Sequence, residues 1–125
     1  MLAAIFGVTA VIAGAILAHQ LKHRMPEAAL EIYETAVRYQ FYHAFALLAS
    51  GILSEKFQGP WITRAGFCFI VGTLLFSGSL YIISALLTNG SSVPFALGLL
   101  TPLGGFGFIL GWIFLVMAVW MGRST

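Results

Sequence analysis

Residues 65–87 read AGFCFIVGTLLFSGSLYIISALL, 23 positions without a formal charge. As an α-helix rising about 1.5 Å per residue, the run is about 35 Å long, enough to cross roughly 30 Å of hydrocarbon. A helix apolar on every side has no face to offer water, so this stretch is read as a membrane span. The rest of the chain is read outward from it. On its N-terminal side stands Arg64, preceded by Glu55-Lys56-Phe57-Gln58-Gly59-Pro60-Trp61, which combines turn chemistry with an interfacial tryptophan. On its C-terminal side Asn89-Gly90-Ser91-Ser92 is a short, uncharged turn.

Three further apolar stretches flank this core. Residues 2–21 contain no formal charge and match a single span in length. Ala13-Gly14-Ala15 mimics a signal-peptide cleavage site, yet no Lys or Arg precedes the run and it continues through Ile16 and Leu17, so the segment is expected to stay. Residues 27–54 begin amphipathic: at 100° per residue Glu27, Glu31, Glu34, Arg38 and Tyr42 share one narrow face. The second half, 44–53, is nearly all apolar, which sets the span at 36–54 with an amphipathic lead-in. One long helix and a break near residues 38–40 are both allowed. The last stretch, 93–121, is too long for one perpendicular helix. Thr101-Pro102 and Gly104-Gly105 predict an interruption there, with a re-entrant or interfacial lead-in before a final helix over 103–121 that carries Trp112 and the belt residue Trp120.

Composition agrees. The 125 residues are 60 % hydrophobic and 8 % charged, against about 25 % charged in soluble domains, and mean hydropathy is +0.98. A soluble fold of this size lacks the interior to hide so much apolar surface, and disorder requires the opposite composition. The expected fold is therefore one all-α integral membrane domain of four transmembrane helices. The net charge of +2 arises from scattered residues, without the basic face that nucleic-acid binding needs, so membrane lipids are the expected partners. One cysteine, Cys68, excludes an internal disulfide and a thiolate cluster. The turn at 88–93 has no basic residue, which marks it as non-cytoplasmic and places both termini in the cytoplasm. Lys56, Arg64 and Arg123 would share the side of the termini, and Lys22 and Arg24 stand opposite.

The chemistry-bearing residues concentrate in 31–43. Glu34 and Arg38 are four apart in the order that favours a helical ion pair, and Tyr39 and His43 are spaced to share a hydrogen bond. Ionisable groups at membrane depth are costly and are normally paired or turned toward a cavity. One reading is a proton, ion or headgroup site lined by Glu34, Arg38 and His43; the other is an interfacial helix whose charges reach headgroups. His19 and His23 are one turn apart, as metal ligands can be, but no acidic or thiolate ligand is tied to them, and no metal or other cofactor is called for. Ser77-Gly78-Ser79-Leu80-Tyr81 is a small polar island of the kind that glues helices together. Gly7 and Gly14 lie on a small-residue stripe with Ala3, Ala10 and Ala18, and Gly107 and Gly111 form a GxxxG; together with Gly78 these are the expected helix-packing glycines. No Asp exists for a Ser/His/Asp triad, and Gly104-Gly105-Phe106-Gly107 lacks the Lys of a phosphate loop. An enzyme is not expected.

Four motifs carry a resemblance: His19-x-Leu21-Lys22, the run from Glu34 to Ala44 (ETAVRYQFYHA), Leu75-Phe76-Ser77-Gly78-Ser79-Leu80-Tyr81, and Thr101-Pro102-Leu103-Gly104-Gly105. With them the chain resembles, over nearly its whole length, the bacterial family of small inner-membrane proteins called domain of unknown function 423. That family includes YgdD-like and YwdK-like proteins and is similar to the eukaryotic transmembrane protein 256. Ile16 and Leu17 depart from it, standing where a Phe-Gly pair is more usual. The resemblance implies a four-helix fold in the bacterial cytoplasmic membrane and implies no reaction. It puts Glu34, Arg38, Tyr39, Gln40, His43, Ser77, Ser79 and Tyr81 at motif positions that coincide with the polar islands, which makes these eight the candidate polar, lipid or ion site. Three function classes follow: a helix-packing protein that is a homo-oligomer or an accessory or assembly subunit of a larger membrane complex, a small transporter or conduit, and a lipid or quinone binder.

Overall fold

The computed structural model describes residues 1–122, so Arg123 lies outside the described residues. Its four helices are α1 (Leu2–Ile16), α2 (Glu27–Leu53), α3 (Pro60–Thr88) and α4 (Phe95–Met121). One π-helical turn, Leu17–Leu21, extends α1, closed by the Lys22 N–H on the Leu17 carbonyl at 3.0 Å. Three segments are long and apolar enough to cross a membrane, namely Leu2–Leu21, Pro60–Thr88 and Phe95–Met121. The fourth, α2, has 27 residues like α4 but bears Glu27, Glu31, Glu34 and Arg38 in its first half. The chain is a four-helix membrane bundle in which α1 packs on α2, α2 on α3, and α3 on α4.

Of the two courses the sequence allows for the second helix, the structure takes the unbroken one: it runs through residues 38–40, where Gln40 is bonded to neighbours on both sides. One sequence expectation, the interrupted lead-in to the last helix, is corrected. The fourth has no separate lead-in: it is helical from Phe95, with Pro102 inside it. Proline removes only the bond to the Gly98 carbonyl, early in a long helix, and the Thr101 hydroxyl beside it bonds Ser79 at 2.6 Å. The turns behave as their residues dictate. Gly90 takes a positive φ of 69°, and the Ser91 and Gly90 N–H groups bond the Leu86 and Leu87 carbonyls at 2.9 and 3.1 Å, closing α3 with a Schellman motif. Pro60 opens α3 at a position where its missing N–H costs nothing.

The α2–α3 contact is built from alanine against serine. The Ser77 hydroxyl donates to the Ala36 carbonyl and the Ser84 hydroxyl to the Ala29 carbonyl, each at 2.8 Å. Seven residues forward on α3 answer seven residues back on α2, which sets an antiparallel register. Ala29, Ala36 and Ser84 have no exposed surface, so the helices meet along their smallest side chains.

The α3–α4 contact is built from glycine against phenylalanine. The Phe108 ring of α4 covers Gly72 of α3, and the Phe69 ring of α3 covers Gly111 of α4; a Cβ at either glycine would lie 2.6–2.7 Å from ring carbon. Gly107 meets Gly72 backbone, and Gly104 lies against the backbone of Phe76. Gly104 and Gly72, absent from the sequence-based set, belong to this seam. Two of the expected glycines do not pack: a Cβ at Gly7 or Gly78 would meet no atom within 4 Å. Their periodicity put them on a small-residue stripe, but the facing helix approaches elsewhere. Gly14 makes ordinary contact with Val37, where a Cβ would sit 3.6 Å from that side chain.

Gly104→Ala is expected to lower stability by about 1–3 kcal/mol, because a methyl there runs into backbone that cannot swing aside. Gly78→Leu should leave the thermal midpoint unchanged. Thermal unfolding in mild detergent, read by loss of the monodisperse elution peak, measures both.

Candidate functional site

Most polar side chains at membrane depth are consumed by the fold. Gln40, 6 % exposed, joins three helices. Its amide nitrogen donates to the Phe6 carbonyl at 2.9 Å and to the Thr9 hydroxyl at 2.7 Å on α1, and its amide oxygen accepts from the Tyr81 hydroxyl at 2.8 Å on α3. Tyr33 donates to the Ala13 carbonyl at 3.1 Å and meets the Tyr81 ring edge-on at 5.1 Å. The Ser79 hydroxyl serves the Phe76 carbonyl and Thr101. Gln40, Ser77, Ser79 and Tyr81 thus form a satisfied internal seam with no polar atom left to act on a ligand.

His43 differs. It is 5 % exposed and lies flat on Phe108, with ring centroids 3.4 Å apart and planes 3° from parallel. Its Nδ1 is 2.8 Å from the Tyr39 carbonyl oxygen. A carbonyl only accepts, so Nδ1 carries the proton and donates; in neutral imidazole Nε2 is then a bare acceptor. No group among the described residues bonds Nε2. No enclosed side-chain nitrogen or oxygen among those residues lacks a partner, so Nε2 is reachable from outside.

The opening that His43 lines is a groove of about 710 Å³ between α2 and α4, floored by Phe76 of α3. Its α2 wall is Tyr39, Tyr42 and His43; its α4 wall runs from Pro102 through Gly105 and Phe106 to Trp112. This volume lies in the range of small-molecule sites, and the lining follows their usual recipe of apolar walls with few polar points. Tyr39 packs on Phe76 at 4.7 Å, and Phe69 meets Trp112 edge-on at 5.3 Å behind the groove. The glycine seam makes the arrangement possible, since Phe108 reaches His43 only because Gly72 leaves room beneath it.

The cluster read from the sequence separates in three dimensions. Glu34 and His43 are nine residues apart, about two and a half turns, and project from opposite sides of α2. Glu34 and Arg38 are exposed and form no ion pair among the described residues. Nor do His19 and His23 approach His43 to make a ligand set; no group of three metal-ligating side chains occurs among the described residues. Tyr39 and His43 do meet, through the Tyr39 backbone carbonyl. Sequence reasoning missed Phe76, Gly105, Phe106 and Phe108 as groove residues. Phe108 and Trp112, one turn apart beside glycines, were the available signal, but in a chain that is 14 % aromatic such a pair does not stand out.

Comparison with known proteins places this geometry in a family context. Residues 13–105 match the family model described as protein of unknown function (DUF423). The chain is 40 % identical over 119 residues to the UPF0382 membrane protein YwdK of Bacillus subtilis (strain 168), covering 94 % of this chain and 92 % of the relative. A UPF0382 membrane protein of Staphylococcus aureus (strain bovine RF122 / ET3-1) is 39 % identical over 118 residues, covering 94 % and 91 %. One from Haemophilus influenzae is 36 % identical over 126 residues, covering 98 % and 94 %. No solved structure matches the chain.

Proposed function

The chain belongs to the DUF423 family of proteins of unknown function, and from that premise we propose that it is a non-enzymatic membrane protein that binds a lipophilic molecule in the groove between α2 and α4. The observation that carries this reading is the buried His43 ring, which lines an aromatic groove and keeps one nitrogen without a partner. Among the described residues no nucleophile, base and orienting group line the groove together, which supports binding over catalysis. The conduit reading loses its path, because Glu34 and Arg38 do not lie on the His43 side of α2.

Gly105→Leu tests the groove. A Cβ at Gly105 would meet only the Phe76 ring, at 3.8 Å, so the variant folds while its side chain fills the cavity. Wild type extracted directly into polymer-bounded native discs should carry a lipophile enriched over the surrounding membrane, read by mass spectrometry of the organic extract, and the variant should lose it. Equal extracts from both would sink the binding reading.

A second reading, self-association, rests on Glu34 and Arg38. They lie about 10 and 16 Å along α2 from its start, at the level of the Ser77–Ala36 contact, exposed and unpaired. Charges that face lipid are costly and are normally paired. A second copy across a two-fold axis sets Glu34 of each copy against Arg38 of the other, the reciprocal contact of an isologous dimer. This favours a homo-oligomer over an accessory subunit of a larger complex. Native mass spectrometry in mild detergent should show a dimer that Glu34→Arg abolishes and that Glu34→Arg combined with Arg38→Glu restores; a monomeric wild type refutes the reading.

The proposed location is the bacterial cytoplasmic membrane with both termini inside. Its support is the basic-free turn after α3 and the placement of Lys56 and Arg64 on the side of the termini; Lys22 and Arg24 oppose it. A C-terminal fluorescent-protein fusion should therefore fluoresce, and an active alkaline phosphatase fusion at the same point would reverse the assignment.

A further inference from the structure

The groove specifies more than apolarity. Its walls are flat rings, which favour a planar partner in offset or edge contact. The polar atom that His43 leaves without a partner, Nε2, is an acceptor in the neutral ring, since the proton on the other nitrogen goes to the Tyr39 carbonyl. A hydrocarbon tail alone in the groove would cover that acceptor without bonding it, and a desolvated acceptor left unpaired is costly. A carbonyl or ether oxygen placed there would set acceptor against acceptor. An O–H placed there completes the site.

We infer that the groove takes a lipophilic molecule whose head is an aromatic ring bearing a hydroxyl group, of the phenol or quinol class, the hydroxyl donating to Nε2 of His43 while the ring lies along Phe76, Phe108 and Trp112. The inference rests on the groove being a binding site and adds the chemistry of the occupant. The selectivity falls between oxidation states: a quinol offers the required donor, whereas its quinone offers only acceptors. The Tyr39 and Tyr42 hydroxyls, without hydrogen-bond partners among the described residues, belong to groove-lining side chains that are 37 % and 54 % exposed. They are free to bond a second oxygen on the same head. The other end of the molecule, its alkyl chain, leaves through the open side of the groove into lipid.

The test uses a fluorinated para-octyl phenol and its methyl ether, which share ring, tail and oxygen and differ in the donor. Titrated by fluorine NMR against the wild-type protein in lipid nanodiscs, the phenol should bind about tenfold more tightly than the ether, the worth of one desolvated hydrogen bond. His43→Phe keeps a flat ring on Phe108 and leaves the Tyr39 carbonyl its helical bond, and it should bring the two probes to equal affinity. Gly105→Leu should weaken both. Equal affinities in wild type with both lost in Gly105→Leu would overturn the hydroxyl inference and leave the groove standing as a general apolar site. Binding of neither probe to wild type would remove the groove reading itself. The wild-type comparison decides the matter even if His43→Phe does not fold.

Discussion

Within hydrocarbon a polar group that loses its partner finds no water to take its place, and the architecture follows from that constraint. Ser77 and Ser84 of α3 bond carbonyls of α2 at alanine positions, and Gln40 divides its amide between α1 and α3. Each such bond is modest, about 0.6–2 kcal/mol, but each has one geometry, so together they set register and depth. The satisfied seam also defines the exception. Among the described residues, His43 alone of the buried polar side chains keeps a reachable atom unbonded, and it does so where α2 and α4 stand apart.

That gap is a consequence of how α3 holds its two neighbours. On one side it meets α2 through serine and alanine, on the other it meets α4 through glycine and phenylalanine. Because α3 lies between them, α2 and α4 meet mainly through rings that reach across it, Tyr39 and His43 from one and Phe108 and Trp112 from the other. Rings that bridge a gap leave space on their lipid side, which is the groove. The same arrangement turns the charged face of α2 outward, toward lipid or a second copy. The charged face that carries Glu34 and the groove face that carries His43 are therefore opposite sides of one helix.

The polar positions were legible as residues but not as a site. Glu34, Arg38 and His43 are close in the chain and stand on different faces, and helical phase separates them without any packing information. Ser77, Ser79 and Tyr81 were legible as glue, because hydroxyls in an apolar run have few alternatives. Gly107 and Gly111 signalled close approach by their spacing. Gly72 and Gly104 did not, since what distinguishes them from Gly78 is the ring or backbone opposite, which the chain order does not encode.

The sequence by itself determined the solvent and the class of fold: four apolar runs, short turns and scarce charge leave only a helical membrane bundle, because backbone in lipid must bond within its own segment. It determined as well which residues are polar enough to matter at depth. Only the tertiary structure decided which of them are spent on packing and which one is left over. That choice depends on the register of facing helices and on whether a glycine has a ring above it, and both are properties of pairs of helices brought together.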